Sequence, residues 1–121
     1  MRSTTITIGG QSYPVKGLSV SQSLTEDILA AEANKGGDVK TKVDVRMRRM
    51  AISLQNGKAF LPDPANPKGQ LGTADMPVER VIALLDGDLF DTAKEFYDAE
   101  IVVMGLTGFG APNAKESGGG E

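Results

Sequence analysis

Four prolines (Pro62, Pro64, Pro67 and Pro77) and two glycines (Gly69 and Gly72) fall in the stretch 60–77 of this 121-residue chain. Each proline fixes φ at about −65° and removes a backbone donor, so neither a helix nor a central strand can run through the stretch. The spacing predicts a loop of about 15 residues over Phe60–Met76, long for a compact domain and therefore either mobile or a contact surface. Regular structure has to form on either side of it.

On the N-terminal side, Thr4–Ile8 is a β-branched run, Gly9-Gly10 is a turn pair, and Gln11–Lys16 resumes alternation through Tyr13 and Val15. This is the signature of a hairpin, with Pro14 demoting the second arm to an edge strand. Ser23-Leu24-Thr25-Glu26 has capping-box spacing, which predicts a helix starting there, with Leu24, Ile28 and Ala31 on one face and Gly36-Gly37 as its stop. The run 38–55 fits both an alternating strand and a helix. Apolar spacings of four, four, three and four through Val39, Val43, Met47, Met50 and Leu54, and a length of about 18 residues, favour the helix, which Asn56-Gly57 ends.

Beyond the Pro/Gly stretch, Asp75 is placed to cap a short third helix with Pro77 in its first turn, carried by Val78, Val81, Ile82 and Leu85 and stopped at Asp86-Gly87. Asp88 is placed to cap a fourth, with Leu89, Ala93, Phe96, Tyr97, Ile101 and Met104 as its stripe and Gly105 as its end. From Gly105 onward the chain holds six glycines and little apolar surface, so residues 106–121 read as a disordered tail. The expected architecture is α+β, mostly α: one small domain over 1–105, an N-terminal β-hairpin followed by about four helices. Only six rings are present, so the core has to rest on Val, Ile, Leu, Met and Ala.

Function is first bounded by what is missing. The chain has no Cys and no His, which removes disulfides, ordinary zinc sites, thiol nucleophiles and imidazole bases. None of its seven serines sits in a nucleophile elbow, no phosphate-binding glycine loop occurs, and Asp86-Gly87-Asp88 with Asp91 fails the spacing of a calcium loop. The expectation is a non-enzymatic protein without metal or cofactor. No apolar run approaches the length of a membrane span and the first residues lack a secretory signal, so the chain reads as cytoplasmic.

Charge is unevenly placed. Residues 35–58 carry seven bases and two acids, whereas residues 75–100 carry eight acids and two bases, within an overall formal charge of −3. Both patches can be read as solvated helix faces. They can equally be read as the two halves of a head-to-tail contact between copies, with Arg46, Arg48 and Arg49 meeting Asp91, Glu95 and Asp98. As a nucleic-acid stripe, the basic run lacks the aromatic or amide side chains that base stacking or readout requires. The stripe of the last helix is either core or, in part, a groove for a partner helix, with Val81, Leu85, Phe96, Tyr97, Ile101 and Met104 as partner-binding candidates.

The order of segments is familiar. A hairpin at Thr4–Lys16, then LTEDILAAEANKGGD, a basic helix VDVRMRRMAISLQNGK, a Pro/Gly stretch, DMPVERVIALLDGDLFDTAKEFYDAEIVVMG and a Gly-rich tail together resemble the tail assembly chaperones of long-tailed bacteriophages, including Mu-like phages. The resemblance spans about residues 4–105 and implies a protein of the host bacterial cytoplasm that coats the largely helical tape measure protein, keeps it soluble and helps tail tube protein polymerise around it. It also implies that the region after Gly105 is where a frameshifted extension could begin. Two alternatives stand beside it: a structural tail or baseplate component, and a small nucleic-acid-binding regulator.

Overall fold

A computed structural model describes residues 2–106. The elements are β1 (Ser3–Ile8), β2 (Gln11–Lys16), α1 (Val20–Gly36), α2 (Val39–Asn56), β3 (Phe60–Asp63), β4 (Asn66–Gly72), a 3-10 turn (Thr73–Asp75), α3 (Val78–Leu85) and α4 (Ala93–Leu106). The architecture is α+β and mostly α, with the expected N-terminal hairpin and four helices.

Strands β1 and β2 pair antiparallel from Ser3↔Lys16 to Ile8↔Gln11. Gly9 and Gly10 both have positive φ (60° and 79°), the condition a two-residue turn with right-handed strand twist imposes. Pro14 sits opposite Thr5 and is tolerated because both strands of a two-stranded sheet are edges. Ile6, Ile8 and Val15 point into the core.

The expected loop over Phe60–Met76 is instead a second hairpin. Strands β3 and β4 pair antiparallel, Phe60↔Gly72, Leu61↔Leu71 and Pro62↔Gln70, with a register shift between Pro62 and Asp63. Prolines exclude a central strand, but here again each strand is an edge, so Pro62 and Pro67 remove donors the sheet does not need. The tip is held by Asp63, whose carboxylate accepts from Ala65 N–H (2.9 Å), and by Asn66, which accepts from Lys68 N–H (3.3 Å). Buried Thr73 closes the base: its N–H donates to Ala59 O (2.9 Å), and its hydroxyl lies 2.8 Å from Ala59 O and 3.1 Å from Leu54 O.

Helix starts also shift. α1 begins a turn earlier than the Ser23–Glu26 box predicts, because Ser19 and Gln22 form the capping box: Ser19 Oγ accepts from Gln22 N–H and Gln22 Oε1 accepts from Ser19 N–H. For α3, Pro77 and not Asp75 occupies the cap position. For α4, Thr92 and not Asp88 meets the first turn, its hydroxyl accepting from Glu95 N–H at 3.1 Å. Gly105 lies inside α4, which runs to Leu106; the expected disorder over 107–121 lies outside the described residues.

Helix α2 is the hub, packing against α1, α3, α4, β2 and the 3-10 turn. Its C-terminal half, Met50, Ala51, Ile52, Ser53 and Leu54, is buried. Met50, Leu54, Leu61 and Leu85 are the largest fully buried side chains, so the core is aliphatic, with Phe90 and Phe96 packed at its edge.

Candidate functional site

The shared aliphatic face of α1, Leu24, Ile28 and Ala31, turns outward. Leu24 is 58% exposed, Ile28 65% and Val20 77%, while the side that meets α2 carries Glu26 and Ala33. What docks this helix is polar. Glu26, 1% exposed, accepts two parallel bonds from the Arg48 guanidinium (2.9 and 3.1 Å), and Asp27 accepts from Arg49 at 2.6 Å. The Gln22 and Asn56 amides exchange bonds at 2.8 and 3.3 Å. Bidentate carboxylate–guanidinium pairs are directional, so they fix which face of α1 turns inward and leave the aliphatic side chains outside.

On the other flank of α2 lies α4, and Arg46 joins the two. Its guanidinium bonds both Glu100 oxygens (2.8 and 2.6 Å) and stands over the Phe96 and Tyr97 rings, 5.7 and 5.5 Å from their centroids. The Glu100 bonds push the Arg46 pKa further up despite partial desolvation, so its charge is permanent. This bridge divides the α2–α4 valley. On one side is an aromatic groove of about 390 Å³ walled by Val43, Met47, Phe90, Phe96 and Tyr97. On the other, an aliphatic groove of about 640 Å³ lies between α1, α2 and α4, walled by Ala30, Ala33, Val45, Met50, Ile101 and Met104, with Lys42 among its lining residues.

The partner-binding candidates separate accordingly. Val81 and Leu85 are buried in the core by α3 packing against α2, a correction for Val81, while Leu85 also lines the aromatic groove. Phe96 is half-buried beside Tyr97, which is 50% exposed, in the aromatic groove; Ile101, 70% exposed, and Met104 line the aliphatic one.

All the self-association candidates except Asp91, whose carboxylate is exposed, have partners for their side chains within the chain. Arg46 holds Glu100, Arg48 holds Glu26 and reaches Glu79 at 3.6 Å, Arg49 holds Asp27, and Asp98 pairs with Lys94 at 2.7 Å. Glu95 accepts from the N–H groups of Gly9 (2.7 Å), Gly10 (3.2 Å) and Asp91 (3.0 Å), tying the β1–β2 turn to the start of α4. These bonds, that from Asp91 foremost, hold its carboxyl below the usual range. The sequence reading missed the exposed α1 ridge. Its one signal was that Glu26 lies opposite Leu24 and Ile28 on a helix apolar on two sides.

Among the described residues, no group of three or more His, Cys, Asp or Glu is placed to hold a metal ion, and no helix is long and apolar enough to cross a membrane. The fold and site together define an α+β chain, mostly helical, in which an aromatic and an aliphatic groove flank Arg46 on the central helix. Comparison with protein-family models, with curated proteins and with solved structures returns no match.

Proposed function

We propose that this chain is a bacteriophage tail assembly chaperone: a non-enzymatic protein of the host bacterial cytoplasm that binds the helical tape measure protein, keeps it soluble and so assists assembly of the tail tube. The phage assignment rests on the resemblance of segment order and motifs. The binding role rests on one observation, the aromatic groove in which Tyr97 and Val43 are exposed beside Phe96 and Arg46. Aromatic side chains and arginine at a partly desolvated site are the residue types that dominate binding energy, and an apolar groove between helices receives the apolar face of a third.

Co-expression with a candidate tape measure protein from the same phage tests the reading. The partner should be soluble only in the presence of this protein, and Tyr97→Ala with Val43→Ser should abolish that effect while leaving the fold intact. A partner equally soluble with or without the chain rejects the chaperone role. Recovery of the chain in purified particles would assign it instead to the tail or baseplate structure.

A further inference from the structure

We infer that the outer face of α1 pairs this chain with a second copy of itself, the α1 ridge of each copy seating in the α1–α2–α4 groove of the other. The ridge is Val20, Leu24, Ile28 and Ala31, spaced four, four and three along about 17 Å of helix. Residues facing solvent on a docked helix are ordinarily polar, yet here they are aliphatic while Glu26 and Gln22 face inward to α2. Packing among the described residues leaves the ridge uncovered.

The shape of the patch selects its occupant. A ridge is convex, and the groove beside it, bounded by Ala30 and Asn34 on α1 and by Ile101 and Met104 on α4, is concave. A lone partner helix could enter the groove but would leave the ridge in water. A second copy carries both shapes and covers both at once across a two-fold axis, which is the self-complementarity an isologous interface requires.

The area agrees. An aliphatic side chain offers on the order of 100 Å² of apolar surface, so at their observed exposures Val20, Leu24, Ile28 and Ile101 offer nearly 300 Å² on that scale. With the groove walls the patch comes to about 500 Å² per copy, about 1,000 Å² for the pair, which meets the lower bound for a specific interface and falls below that of an obligate dimer. The assembly is therefore a concentration-dependent dimer. Its apolar character also sets its response to salt. Asp27 and Arg49, and Arg46 and Glu100, are paired within each chain, which leaves Lys42 as the groove charge without an opposite partner among the described residues, so screening has little attraction to weaken.

This inference stands apart from the tape-measure reading, because it is tested on the purified full chain alone. Sedimentation from about 1 to about 200 μM in about 0.05 M and about 1 M NaCl should show a monomer–dimer equilibrium no weaker at high salt. Leu24→Glu with Ile28→Glu should weaken dimerisation at least tenfold, with helicity by circular dichroism unchanged because both positions are exposed. Ile101→Glu, on a different helix, should do the same from the groove side, and Phe60→Ser, an exposed ring on β3 outside the patch, should not. A chain monomeric throughout, a dimer that dissociates in salt, or a dimer that survives the Leu24 and Ile28 changes overturns the inference.

Discussion

Removing Arg48 should undock α1 at a large cost, and removing its partner as well should restore much of the loss. The Glu26 carboxylate is almost wholly inaccessible to solvent and both its oxygens are bonded by Arg48, whose own side chain is mostly buried. In Arg48→Ala the carboxylate keeps its place between α1 and α2 with no cation against it. Leaving a buried charge unpaired costs about 3 to 5 kcal/mol, a large part of the roughly 5 to 15 kcal/mol that holds a domain together. The alternative is for α1 to swing out and hydrate Glu26, which forfeits the Asp27–Arg49 and Gln22–Asn56 bonds as well. Replacing both partners by apolar side chains, Glu26→Leu with Arg48→Met, removes the desolvated charges together and should be neutral or stabilising relative to the wild type. Urea unfolding followed by far-ultraviolet circular dichroism, at concentrations low enough to keep the chain monomeric, measures all three proteins. A cost below about 1 kcal/mol for Arg48→Ala would place the pair with exposed ion pairs, and a double variant as unstable as the single one would refute the account of a buried charge left alone.

Thr73→Val removes a buried hydroxyl that serves the carbonyls of Leu54 and Ala59, and should cost about 1 to 3 kcal/mol in the same assay. Leu85→Ala, in the core, should cost about 2 to 5 kcal/mol, whereas Tyr97→Ala should leave the denaturation midpoint nearly unchanged because the ring is half exposed. Glu95, its pKa depressed by the N–H groups of Asp91, Gly9 and Gly10, stabilises the fold only while ionised. That contribution is complete above the ordinary Glu value and vanishes as pH falls through the lower folded value, so thermal midpoints of wild type and Glu95→Gln, apart at about pH 6, should converge as the pH is lowered through that folded value.

Elements whose signals are local were legible in the sequence. Gly9-Gly10 between two β-branched or alternating runs defines a hairpin through backbone conformation alone, and the four-four-three-four spacing marks α2 as a helix, though Val39 and Val43 at its start turn out exposed. The second hairpin was not legible, because proline forbids a central strand and permits an edge strand equally well as a loop. Which of the two forms depends on whether the segment is anchored, here by Leu61 in the buried core and by Thr73 bonding Leu54 and Ala59. The caps failed for a related reason. Ser19 and Ser23 stand one helical turn apart, each followed three residues later by a residue able to complete a capping box, and a local rule cannot choose between them. Gln22 was selected by its bond to Asn56, thirty-four positions away.

The inverted α1 shows what periodicity cannot carry. A stripe of aliphatic residues on a helix states only that the face avoids water, not what removes the water from it. In α1 the intramolecular contact is made by carboxylates and amides, whose bonds to Arg48, Arg49 and Asn56 are strong because they are directional and partly dry. The aliphatic face stays at the surface. The same arrangement gives the arginines of α2 their role: three of the bases that make residues 35–58 a positive patch in the sequence are matched in the fold by Glu26, Asp27 and Glu100, two of them from α1 and one from α4. These ion pairs bind α2 to α1 and α4, while the α1 ridge and the two grooves beside Arg46 remain apolar at the surface.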